Sequence, residues 1–140
     1  MFDQYFDGWE EKSIFEKEYI SLWSGWLGKA DCHLLDQVTE EEWSRFNSFI
    51  SSISQKYKTG LVDCNEGTVS FSTEIVRTLS SHTQSMNKDA SQFSKYVIPE
   101  MECVITEEWD YTYIIWHKNN GAVEALIPDI LDSKLQHFSS

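Results

Sequence analysis

A chain of 140 residues that is 41% hydrophobic and 14% aromatic can close a core by itself, without a disulfide or metal to hold it. Its 23 acidic against 11 basic residues give a net charge of −12, which repels nucleic-acid phosphates and anionic lipid headgroups and attracts basic polypeptides. Disordered acidic chains are poor in aromatics, so residues 1–140 are expected to form one soluble domain with an acidic skin.

The first half has the pattern of helices. Over 9–27, Phe15, Tyr19, Leu22 and Trp26 recur at three- and four-residue spacing, and Gly28 offers a stop. Thr39 followed by Glu42 makes a capping box, in which each side chain satisfies the other residue's free backbone N–H. Trp43, Phe46, Ile50, Ile53 and Tyr57 then share one helix face up to Gly60. At this spacing Trp9, Trp23, Trp26 and Trp43 are expected in the core. Glu10-Glu11 and Glu40-Glu41-Glu42 are expected in first turns, where carboxylates complement the helix dipole.

Beyond Gly60 the period shortens. Segments 61–64 and 68–71 flank Asn65-Glu66-Gly67 and predict a β-hairpin. Ser72 or Thr73 is expected to cap a helix bearing Ile75, Val76, Leu79 and Met86, with 85–91 as a polar loop. A short helical turn through Phe93, Tyr96 and Val97 leads to Pro99. Segments 101–106 and 111–118 predict strands joined by a turn at 107–110. Tyr111, Tyr113, Ile115 and His117 alternate with Thr112, Ile114 and Trp116; both faces are apolar, so this strand is expected to be central. Val123, Leu126, Ile127, Ile130 and Leu131 predict a closing helix, kinked or divided at Pro128. The expected fold is α+β, a helical N-terminal half packed on a small antiparallel sheet with a C-terminal helix.

Motifs for chemistry are sparse. The six glycines are scattered, so neither a P-loop nor a GxGxxG turn can be built, and no GxSxG elbow occurs. His33, His82, His117 and His137 include no pair at helical spacing, and Cys32, Cys64 and Cys103 are too far apart for a CxxC pair or a zinc knuckle. Each cysteine is expected as a buried, reduced thiol. The start of the chain lacks the basic and apolar regions of a secretory signal, and no apolar run reaches membrane-span length, so the cytoplasm is the expected compartment. No catalytic, cofactor-binding or metal-binding residue is therefore expected. The alternative is a small enzyme in which His117 works with Glu107 or Asp110, or activates Cys103 on a neighbouring strand; ordinary strand-end histidines far outnumber catalytic ones.

Glu107-Glu108-Trp109-Asp110-Tyr111 gathers three carboxylates around two large aromatics away from any helix start. Interfaces use aromatic anchors for burial and charge to choose a partner, so these five residues are the expected partner-binding segment. The plain alternative is that Trp109 and Tyr111 are core residues and the acids solvate a turn.

The stretch Ser13-Ile14-Phe15 through Trp23-Ser24-Gly25-Trp26-Leu27-Gly28-Lys29, together with the run Cys103-Val104-Ile105-Thr106-Glu107-Glu108-Trp109-Asp110-Tyr111 through Lys118, resembles small bacterial immunity proteins. These are encoded beside the toxins of contact-dependent growth inhibition systems. The resemblance implies a cytoplasmic protein that binds the toxic C-terminal domain of an incoming effector one-to-one and covers its active-site cleft. Such domains are frequently nucleases, ribonucleases foremost, with basic clefts. It implies no cofactor and assigns no binding residues.

Overall fold

The computed structural model describes residues 1–71, 75, 79–87, 89 and 92–139. Its strands are β1 (Phe6–Asp7), β2 (Glu10–Glu11), β3 (Glu16–Ser21), β4 (Gly60–Asp63), β5 (Thr68–Ser70), β6 (Lys95–Ile98), β7 (Cys103–Glu108), β8 (Thr112–His117) and β9 (Gln136–Phe138). The α-helices are α1 (Glu40–Lys56), α2 (His82–Met86) and α3 (Asn120–Asp132). The fold is thus α+β with a C-terminal helix. Among the described residues seven strands form one antiparallel sheet in the order β5-β4-β6-β7-β8-β3-β9, and β1 pairs with β2 in a separate two-stranded sheet.

The pleat sorts the side chains into two cores. Ile20, Tyr96, Ile98, Cys103, Ile105, Tyr113 and Ile115 point to one face and meet Phe46, Phe49, Ile50 and Ile53 of α1 and Leu126 and Ile130 of α3. Burying each such aliphatic or aromatic side chain stabilises by about 1.5–3 kcal/mol relative to exposure. On the other face Val97 and Val104 pack with Tyr5, Phe6 and Phe15 from the N-terminal segment. Lys95 fastens that segment: its Nζ donates to Glu11 Oε1 at 2.6 Å and to the Trp9 carbonyl at 2.8 Å.

The N-terminal part is therefore extended where a helix is expected. Phe15 and Tyr19 happen to satisfy helical spacing, but they belong to a two-residue alternation: Glu18 and Ile20 face the helices, and Tyr19 faces away. Pairing with β8 on one side and β9 on the other satisfies the β3 backbone and overrides the local helical pattern. Glu10 and Glu11 accordingly lie in β2 rather than a first turn. Trp43 is core at 2% exposure, whereas Trp9 and Trp26 are surface residues at 46% and 60%. Trp26 stacks edge-on over Tyr19 and Phe138 at the β9 edge.

Helix α1 forms as expected, with the Thr39–Glu42 capping box in place and Glu40, Glu41 and Glu42 in its first turn. The 61–64/68–71 hairpin is present as β4–β5. Ser72, Thr73 and Val76 of the expected third helix lie outside the described residues. Helix α2 is capped instead by Ser81 with Gln84. Around Phe93–Val97 a strand, β6, replaces the expected helical turn, because Tyr96 and Val97 are buried on opposite faces. Strand β8 is central, between β7 and β3. Helix α3 runs through Pro128 undivided, with Leu126 and Ile130 both fully buried to either side of it. Of the cysteines only Cys103 is buried; Cys64 is half-buried and Cys32 exposed, since the segment around Cys32 is a surface 3₁₀ turn (Cys32–Gln37) rather than core. No helix among the described residues is long and apolar enough to cross a membrane.

Candidate functional site

The β7–β8 hairpin carries the segment singled out above, and β7 runs two residues further than its apolar stretch suggests, so Glu107 and Glu108 belong to the strand. Their side chains part. Glu107 turns inward and is 2% exposed; the Ser94 N–H donates to its Oε1 at 2.9 Å and the Ser85 hydroxyl to its Oε2 at 3.2 Å. A carboxylate held this way is a structural tie between the sheet, the 92–94 segment and α2. Glu108 is half-buried and accepts from Thr106 Oγ1 at 2.7 Å, while Trp116 Nε1 donates to the same hydroxyl at 2.9 Å. Partial burial holds the Glu108 carboxyl above the ordinary carboxylate range, against the Thr106 hydrogen bond; nearby Glu11 adds to the rise and Lys95 and Lys17 oppose it.

The tip itself is strained. Asp110 and Tyr111 have φ of 60° and 54°, two successive left-handed residues without glycine. Such backbone persists only where the surroundings over-determine it. Here the Tyr111 hydroxyl donates to Met86 Sδ at 2.8 Å and lies 3.1 Å from His82 Nε2, and the Tyr111 ring meets Trp43 edge-on at 6.2 Å. Burial, and after it the charges of Asp36 and Asp110, push the Tyr111 phenol above its usual value. With Tyr111 turned inward, Trp109 is turned out to 57% exposure, steadied by the Phe93 ring at 4.7 Å and 76°.

These groups enclose a cavity of about 260 Å³ walled by Leu35, Trp43, Met86, Phe93, Trp109 and Tyr111, with Asp36 and Asp110 among its lining acids. Of the five expected partner-binding residues, Glu108, Trp109, Asp110 and Tyr111 line it, and the buried Glu107 does not. Asp36, Met86 and Phe93 are legible only in three dimensions, since they come from three segments far apart in the sequence: the Cys32–Gln37 turn, the end of α2 and the stretch before β6. Trp43 is where its helical spacing puts it, in the core, and it also lines the cavity.

The other candidate, His117, ends β8 opposite Glu16, is 3% exposed, and sets Nδ1 3.0 Å from the Asn119 carbonyl. Glu107 pairs with Tyr113, four residues back along β8, and Asp110 lies beyond the far end of that strand, so neither expected carboxylate partners it. Cys103 does stand on the adjacent strand, each residue one step past the Val104–Trp116 pair. Its thiol is fully buried and pushed up to about 12 by that burial, the reverse of what nucleophile activation requires. A wider cleft of about 660 Å³ beside His117 is lined by Glu16, Lys17, Glu18 and Ser139. Within it the Glu18 carboxylate accepts from Ser139 Oγ at 2.7 Å and lies 2.7 Å from His137 Nδ1. Both partners bind the same acid, so the three do not form a relay from hydroxyl through imidazole to carboxylate. No group of three or more His, Cys, Asp or Glu among the described residues is arranged to hold a metal ion. Comparison with protein-family models, curated proteins and solved structures returns no match.

Proposed function

We propose that this chain is an immunity-type inhibitor that binds the basic toxin domain of a growth-inhibition system, a nuclease and in the first instance a ribonuclease, and covers its active-site cleft. It acts by occupation, in the cytoplasm and one-to-one, with no bond made or broken. The observation that carries the reading is Trp109: a large aromatic more than half exposed, on a strained hairpin tip, beside the exposed carboxylate of Asp110, on a molecule of charge −12. Aromatic anchors surrounded by acid suit a basic partner, and the net field speeds the encounter. The resemblance of the Cys103–Lys118 run to immunity proteins supports the same assignment.

The test is protection. Cells expressing the toxin domain encoded beside this chain should survive when the chain is co-expressed, and purified toxin should lose nuclease activity at one equivalent of it. Killing unaffected by co-expression, together with undiminished nuclease activity in excess chain, overturns the proposal.

A further inference from the structure

The cavity at the hairpin tip has a composition that selects its occupant. Its walls are Trp43, Tyr111, Phe93 and Trp109 with the thioether of Met86, and Asp36 and Asp110 are exposed acids on its lining. No lysine or arginine lines it among the described residues, and neither Asp36 nor Asp110 enters an ion pair there. At about 260 Å³ it falls below the roughly 300–1,000 Å³ of drug-sized ligand sites and matches a single inserted side chain. Aromatic faces attract a cation through their quadrupole, and a guanidinium also stacks flat on them while its N–H groups reach carboxylates at the rim.

We infer that this cavity is a receptor for one arginine side chain of the partner polypeptide, with the guanidinium stacked against Trp109 and Tyr111 and hydrogen-bonded to Asp36 and Asp110. The inference rests on the reading of this face as a surface for a basic partner, and it specifies how that partner is held. Arginine is chosen over lysine because the walls offer flat aromatic surface, which a planar cation covers and a hydrated ammonium does not. Charge complementarity chooses it over an apolar side chain: an aliphatic plug would strip water from Asp36 and Asp110 and return no hydrogen bond.

The experiment uses the whole chain labelled at its tryptophan indoles and methionine methyls, titrated by NMR with N-acetyl-arginine amide and, in parallel, with N-acetyl-citrulline amide, its neutral isostere. The expected result is a saturable shift at the Trp109 indole and the Met86 methyl with the arginine probe, at a Kd of about 1–10 mM. Trp26, on the opposite side of the sheet, should stay unmoved. The citrulline probe should bind about tenfold more weakly or not at all, and Trp109→Ala and the pair Asp36→Asn with Asp110→Asn should each weaken the arginine probe about tenfold. These substitutions change exposed side chains, and unchanged indole positions elsewhere report an intact fold. The absence of a saturable shift at Trp109, equal binding of the two probes, or a response confined to other tryptophans overturns the inference. Neutralisation of the neighbouring toxin is assayed with the same variants. Full neutralisation by Trp109→Ala would overturn the arginine receptor and leave the immunity reading standing. Arginine binding by a chain that neutralises no toxin would do the reverse.

Discussion

Tyr111 and His82 meet with the phenolic oxygen 3.1 Å from Nε2, which ties the β7–β8 hairpin to the short helix α2. The same oxygen donates to Met86 Sδ, so one hydroxyl serves two contacts on a five-residue helix. Tyr111→Phe keeps the ring against Trp43 but removes both. Urea denaturation should show a loss of about 1 kcal/mol, the usual net contribution of such a hydrogen bond. A loss near zero would mean the ring alone holds the tip.

Asp110 sits at φ 60° immediately before Tyr111 at φ 54°. Glycine adopts this backbone without penalty, so Asp110→Gly should stabilise the chain by about 0.5 kcal/mol while weakening its hold on a basic partner. Urea midpoints and binding titrations measured on the same variant check both directions. Lower stability would show that the Asp110 side chain supports the turn.

Lys56 and Asp129 join α1 to α3. Asp129 is 1% exposed, its Oδ1 accepts from Lys56 Nζ at 2.8 Å and Ser52 Oγ at 2.7 Å, and its Oδ2 is buried without a hydrogen-bond partner among the described residues. Lys56→Met strips the cation from a buried carboxylate and should lower the urea midpoint. Adding Asp129→Asn to that variant should recover part of the loss, because a neutral amide tolerates burial without a counter-charge. An equal or greater loss in the double variant would contradict this account.

Burial raises Tyr96 to about 12 from 10.0 and Cys103 to about 12 from 9.0. Between those values the folded state keeps protons that the unfolded chain has released, so unfolding free energy falls as pH rises. Stability from these groups is complete below about pH 9 and is lost progressively as pH climbs toward 12. Denaturation midpoints measured from pH 8 upward should decline accordingly. In the same range iodoacetamide should modify Cys32 readily and Cys103 only on unfolding; rapid labelling of Cys103 in the folded chain would reopen its role as a nucleophile.

What the sequence discloses depends on how local its cause is. The α1 capping box, the strand pair expected at 101–106 and 111–118 and the central place of β8 all come from neighbours within a few residues and are legible, although β7 extends to Glu108 through the expected turn. The extended state of β3 is not, because Phe15 and Tyr19, four residues apart, fit a helical period as well as an alternating one, and only pairing to β8 and β9 decides between them. The hairpin segment is legible as a composition of acids and aromatics. That Glu107 points inward while Trp109 points out follows from strand register and two left-handed residues, which composition does not encode. Replacing Glu107 by lysine would therefore bury a cation and unfold the chain rather than probe its surface, so binding is tested at Trp109 and Asp110.

The proposed docking of a basic toxin domain is best tested by calorimetric titration of a candidate domain of that kind into the chain at about 50 mM and again at about 200 mM salt. A one-to-one complex is expected whose affinity falls as salt rises, since opposite charges draw the two molecules together. No complex at either salt, or a complex indifferent to salt, would contradict it.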